Sequence, residues 1–198
     1  MRKIITISRE FGAGGGEIGR AVASELGYEY YDKAIILRAA KEANIDVESG
    51  YRWDESVPVN FGFAQSLFDF YNKPLNEKLF DAQRDVIRRI GEKGNCVIVG
   101  RNANSILSEF DSCLHVFVCA DVKWRKERAL RIYSDMTKVQ VADQLATIDK
   151  RRKKYCAYYT KTEFGKADYY DLCLRTSELG IETCVKIICG LARADEKN

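Results

Sequence analysis

Five of the fourteen glycines fall between positions 12 and 19, within the run Arg9-Glu10-Phe11-Gly12-Ala13-Gly14-Gly15-Gly16-Glu17-Ile18-Gly19. Such a run frees the main chain to aim several N–H groups at one point. It follows the β-branched stretch Lys3 to Ser8 and leads into Glu17 to Leu26, whose apolar residues recur at helical spacing. A strand feeding a glycine loop that opens a helix offers backbone donors backed by the positive end of the helix dipole, and the natural ligand is a phosphate. A G-x-G-x-x-G reading through Gly12 and Gly14 has poor spacing, and no acidic residue closes a convincing second strand, so a dinucleotide site is disfavoured. A glycine turn with no ligand is the plain alternative.

Charge gathers in a second place. Residues 150–166 carry Lys150, Arg151, Arg152, Lys153, Lys154, Lys161 and Lys166 against Glu163 alone, a local charge of +6. A run of this kind is usually a solvated helix face, but phosphoryl transfer also calls for cations around a spreading negative charge. Arg128 and Arg131 lie one helical turn apart and could flank a donor base or its phosphates, or simply face solvent. The single histidine, His115, excludes H-E-x-x-H zinc sites and reads as a packing residue inside a strand.

The elements that must position these residues follow from pattern. Continuous apolar runs at Cys96 to Val99, Leu114 to Cys119 and Leu172 to Leu174 predict strands covered on both faces. Helices are expected after the N-cap Asp32 from Lys33 to Ala43, from Leu75 to Lys93 between Pro74 and Gly94, and over Asn102 to Leu107. More are expected over Val122 to Tyr133 behind the N-cap Asp121, from Lys138 to about Tyr158 behind a Thr137–Gln140 capping box, and from about Ile181 to Arg193. Strands alternating with helices call for a mostly parallel sheet sandwiched between helices, a three-layer α/β/α fold. The aromatic-rich stretch 51–71 reads as short helices and loops that pack a satellite core or line a base pocket.

With 198 residues, a net charge of +3, 46% hydrophobic and 31% charged residues, the chain fits one moderate domain with a real core. Its longest apolar run, Val116 to Ala120, is far short of a bilayer span, and its start lacks a signal-peptide core, so a cytoplasmic location is expected. Seven cysteines without a C-x-x-C pair are expected to be mostly reduced and buried.

Four segments together resemble the cytidylate kinase-like family, relatives of the P-loop nucleoside monophosphate kinases. They are Ile5 to Gly15, Cys96-Val97-Ile98-Val99-Gly100-Arg101, Glu127-Arg128-Ala129, and Asp149-Lys150-Arg151-Arg152 with Tyr169-Tyr170-Asp171-Leu172. The resemblance implies a five-stranded parallel sheet, a helical acceptor-binding insertion over about 44–73 and a basic lid over about 150–168, all within one domain. It implies ATP with Mg²⁺ as donor, bound by Arg9, Gly12, Ala13, Gly14, Gly15, Gly16 and Arg128. Arg101 matches the acceptor-phosphate arginine, Asp32 would lie near the acceptor nucleoside, and Lys150 and Arg152 match the lid cations. The activity implied is phosphoryl transfer to a nucleoside monophosphate, CMP or dCMP foremost.

The loop departs from G-x-x-x-x-G-K-[ST], because Arg9 takes the first glycine's place, Gly15 the lysine's and Gly16 that of the hydroxyl. Losing that clamp takes several factors of ten from a reaction that is mostly electrostatic positioning. Arg9 and Arg20 could compensate, and Gly15→Lys is expected to strengthen ATP binding. A non-catalytic nucleotide- or anion-binding regulatory protein is the leading alternative, and the near-neutral total charge argues against a nucleic-acid module.

Overall fold

Strands covered on both faces bury consecutive residues, and in β1 (Ile4–Arg9) the side chains of Ile4, Ile5, Thr6 and Ile7 are no more than 1% exposed. The computed structural model describes residues 3–32, 34 and 75–194. The helix expected over 33–43, the insertion over 44–73 with its aromatics, and Pro74 therefore lie outside the described residues, Ala34 excepted.

In the sheet, β1 lies between β3 (Cys96–Val99) and β4 (Cys113–Cys119), with β2 (Glu29–Tyr31) outside β3 and β5 (Leu172–Arg175) outside β4. All four pairings are parallel and the order is β2-β3-β1-β4-β5. Among the described residues the α-helices are α1 (Gly15–Leu26), α2 (Leu75–Lys93), α3 (Ala103–Ile106), α4 (Val122–Ile132), α5 (Lys138–Thr160), α6 (Thr176–Leu179) and α7 (Ile181–Ala194). On one face Ile18 and Val22 of α1 and Ile188 and Cys189 of α7 pack against Ile5, Ile7, Val97, Val116 and Val118. On the other, Ile87 and Ile90 of α2, Leu107 after α3 and Tyr155 of α5 meet Ile4, Cys96, Ile98 and Cys113. The three layers are those expected.

Element ends show which local signals prevail. Thr137 and Gln140 form the capping box of α5, and Gly94 adopts a φ of 69° just after α2. Asp121 sits at the N-cap of α4 yet caps nothing, because its carboxylate accepts bonds from Arg175 at 2.7 and 2.8 Å. A charge-assisted pair outcompetes a bond to a neutral N–H. Of the basic segment, 150–160 belongs to α5, while the residues after it lead to a short 3-10 turn at Ala167–Tyr169, with Phe164 packing edge-on to Phe117 at 5.3 Å. His115 is half-buried, its Nδ1 lying 2.8 Å from Thr6 Oγ1.

All seven cysteines are free and five are buried. Burial, helped by the Glu29 carboxylate, pushes the Cys96 thiol from 9.0 up to about 12. The folded chain thus keeps a proton that the unfolded chain loses above 9.0, so stability falls as pH rises from 9.0 toward 12. Cys96→Ala is expected to reduce that alkaline slope, which denaturant unfolding at about pH 8 and about pH 10 will measure. An unchanged slope would assign it to other groups.

Candidate active site

The glycine loop takes its shape from what lies behind it. Gly12 and Gly14 have φ values of 80° and 91°, a region that disfavours other residues. A Cβ on Gly12 would lie 3.1 Å from Arg125 O, and one on Gly14 would run into Ile181 Cδ1. Thr176 Oγ1 lies 2.9 Å from Ala13 O, and the Phe11 N–H donates to Asp149 Oδ1 at 2.8 Å. Gly14 is the N-cap of α1, which therefore begins at Gly15, two residues before the expected Glu17. The first N–H groups of α1 have no carbonyl within the helix to bond, and Gly14, Gly15, Gly16 and Glu17 border a cleft of about 730 Å³. That size suits a small-molecule ligand.

Four arginines line the cleft: Arg9 from β1, Arg20 from α1, Arg128 from α4 and Arg152 from α5. Its two carboxylates are engaged, Glu17 with Arg128 and Glu10 with Arg125 at 3.5 Å. Arg128 also leans over the Trp124 ring at 5.9 Å. The half-exposed Ile132 and Tyr133 close one side, and Tyr133 stacks on Phe11 with centroids 6.1 Å apart. A polyanion with a flat base attached matches such walls. Near the cleft, burial pushes the Tyr30 phenol up while the neighbouring Arg20 opposes the shift.

Behind this wall is a buried network. Arg125, 6% exposed, pairs with Asp149 at 2.5 Å and donates to Phe11 O at 3.2 Å. Glu10 also accepts from the Ala120 N–H at 3.2 Å, and Arg152, one turn after Asp149, donates to Arg9 O at 2.9 Å. The loop is thereby tied to α4 and α5 at once.

A second, much smaller cavity of about 20 Å³ adjoins the first, lined by Ser8, Arg9, Gly100, Arg101, Arg152 and Phe164 among others. Arg101 is 6% exposed and holds a left-handed φ of 60°, between Gly100 at 85° and Asn102 at 53°. Left-handed backbone at a non-glycine residue is strain of the kind that collects at functional sites.

The structure therefore brings Arg9, Gly12, Gly14, Gly15, Gly16, Arg128 and Arg152 to the cleft and Arg9, Arg101 and Arg152 to the cavity beside it. Ala13 is fully buried and lines neither, its N–H bonding Glu10 O at 3.3 Å. Lys150 and Arg131 are exposed and line neither. Asp32 pairs with Arg20 at 3.4 Å and accepts from the Ala34 N–H, away from the lining of the Arg101 cavity. The expected gain from Gly15→Lys meets an obstacle, since a Cβ there would lie 2.6 Å from Arg9 Cβ. Gly16 has room, its nearest neighbour being Tyr30 Oη at 3.9 Å. Arg125 and Glu10 were not singled out by spacing; Asp149 and Arg152, three apart on one helix, were the only local sign of the network.

A five-stranded parallel sheet in this order, with a glycine loop between β1 and α1, defines a P-loop kinase-like α/β protein. The cytidylate kinase-like family model matches residues 4–178, and the chain belongs to that family. Among solved structures, an uncharacterized protein from Eubacterium ventriosum superposes with a TM-score of 0.75 at 22% identity, covering 96% of this chain and 98% of that one. Shikimate kinase from Bacteroides thetaiotaomicron gives 0.52 at 16% identity over 95% and 97% of the two chains. Shikimate kinase from Acinetobacter baumannii, in complex with shikimate, gives 0.51 at 13% identity over 99% and 96%. No curated protein matches by sequence. Among the described residues no helix is long and apolar enough to cross a membrane.

Proposed function

We propose that the chain transfers the terminal phosphoryl group of ATP to a nucleoside monophosphate, with CMP and dCMP the acceptors favoured by the family likeness. One observation carries this reading: Arg9 and Arg152 line both the large cleft and the small cavity that holds Arg101. A donor in the cleft and an acceptor phosphate on the Arg101 side, where the cavity of about 20 Å³ would have to widen to admit it, would meet across two guanidiniums, where negative charge spreads during transfer. The acceptor oxygen bonds to the γ-phosphorus, the bond to the bridging oxygen breaks, and ADP leaves with that electron pair. The loop from Gly12 to Gly16 would hold donor phosphates, Arg128 with Tyr133 and Ile132 would border the base, and Arg101 would hold the acceptor phosphate.

ATP phosphates fit the arginine-lined walls, and among the described residues of the cleft no unpaired carboxylate is offered to Mg²⁺. Position 16 offers no hydroxyl, Glu10 and Glu17 are paired with arginines, and no group of three metal-ligating side chains occurs among the described residues. Mg²⁺ enters this reading as part of the donor, carried on its phosphate oxygens.

The test is ADP release by the full chain with ATP, Mg²⁺ and a panel of CMP, dCMP, UMP, AMP and shikimate. Turnover with shikimate alone would overturn the nucleotide acceptor. The missing lysine favours a second reading, nucleotide binding without transfer, which predicts a raised melting temperature with no ADP released. Arg101→Gly is expected to weaken nucleoside monophosphate binding about 10- to 100-fold, the range for a lost charge-assisted contact. Because φ at 101 is 60°, that variant should also be more stable than Arg101→Ala by about 1 kcal/mol. Calorimetry and denaturant unfolding check both, and unaltered acceptor affinity removes Arg101 from the site.

A further inference from the structure

We infer that Arg9 is the phosphate-clamping cation of this loop, moved from the position after the last loop glycine to the strand residue before the loop. The inference rests on the phosphate-donor reading of the cleft. Two departures from the Walker pattern, arginine at the first glycine's place and glycine at the lysine's, become one feature in space. The Arg9 side chain crosses directly over Gly15, so a Cβ at position 15 would lie 2.6 Å from Arg9 Cβ and 2.8 Å from Arg9 Cγ. These are the root of the side chain, not its flexible end, so the two positions cannot both carry long side chains without displacement.

Further along, the guanidinium comes down over Gly100 at the end of β3. A Cβ there would collide with Arg9 Nη1 and lie 3.0 Å from its Cζ. Gly100, with its φ of 85°, leaves the space the guanidinium fills. Below, the Arg9 carbonyl accepts from Arg152, which fixes the backbone that launches the side chain. The result is a positive charge on the floor between β1 and β3, facing both cavities. A guanidinium in this place supplies what a lysine would, a charge against the phosphates, and adds a planar pair of donors.

Pyrophosphate binding, measured by calorimetry on the full chain, tests the clamp without requiring turnover. Arg9→Met keeps the packing and removes the charge, and it should weaken pyrophosphate about 10- to 100-fold. Gly15→Lys alone should lower the melting temperature and leave affinity no higher than in the wild type. Arg9→Gly combined with Gly15→Lys restores the Walker arrangement at both positions and should bind pyrophosphate more tightly than either single variant. If Gly15→Lys does not fold, Arg9→Met decides the matter. The inference is overturned by wild-type affinity in Arg9→Met, by a wild-type protein that ignores pyrophosphate, or by a double variant weaker than both singles. A protein that binds pyrophosphate through Arg9 yet releases no ADP with any acceptor would end the kinase reading and leave the clamp standing.

Discussion

Replacing Arg125 with alanine is expected to lower the unfolding free energy by about 3–5 kcal/mol, the range for breaking a buried ion pair from one side. Its guanidinium is the hub between Asp149, Glu10 and the Phe11 carbonyl, and it is almost wholly enclosed. Truncation leaves the Asp149 and Glu10 carboxylates without their shared cation and the Phe11 carbonyl of the loop without its donor. Denaturant unfolding of wild type and variant measures the loss. The double variant Arg125→Met, Asp149→Leu should be less damaged than Arg125→Ala, since it removes the more deeply buried carboxylate together with the guanidinium and leaves only the part-exposed Glu10 without its cation. A loss below about 1 kcal/mol would mean the network is hydrated like a surface pair.

The second large effect belongs to Arg152. In the proposed transfer its guanidinium borders donor and acceptor sides together, so Arg152→Ala should reduce kcat about 10²- to 10³-fold, as expected when one transition-state donor is removed. Arg152→Lys should recover part of the rate, because a point charge replaces a fork. The Arg101 variants should instead act mainly through acceptor affinity. Unchanged kcat in Arg152→Ala would exclude it from the reacting centre, and a matching fall in melting temperature would point to its bond with the Arg9 carbonyl instead.

Much of the frame was legible because its signals are local. The apolar runs of β3 and β4, the Thr137–Gln140 capping box and Gly94 each announce themselves within a few residues. β2 did not, being three residues long at the sheet edge with Glu29 exposed, which leaves no apolar pattern to read. Asp121 marks the start of α4 as its type and position suggest, but its lack of a capping bond was not legible, because the arginine that takes its carboxylate lies 54 residues later in the chain. At the site, the glycines and Arg101 stood out by their place after strands. Arg125 looked like one of many charges on a helix, and its burial follows from partners 24 and more than 100 residues away. The exclusion between Arg9 and Gly15 is likewise spatial, set by where β1 delivers a side chain relative to the first turn of α1.

The wedging of the glycine loop by Thr176 and Ile181 reaches beyond this molecule. Both contacts come from residues far along the chain, after β5, and touch only main chain or the space beside it, so neither depends on what residue 15 carries. The loop's outline in this chain is therefore set independently of where its cation sits. A matching backbone outline alone does not report whether the phosphate-facing cations are in place. In the proposed transfer the charge that matters is carried by side chains set on this frame, not by the frame itself.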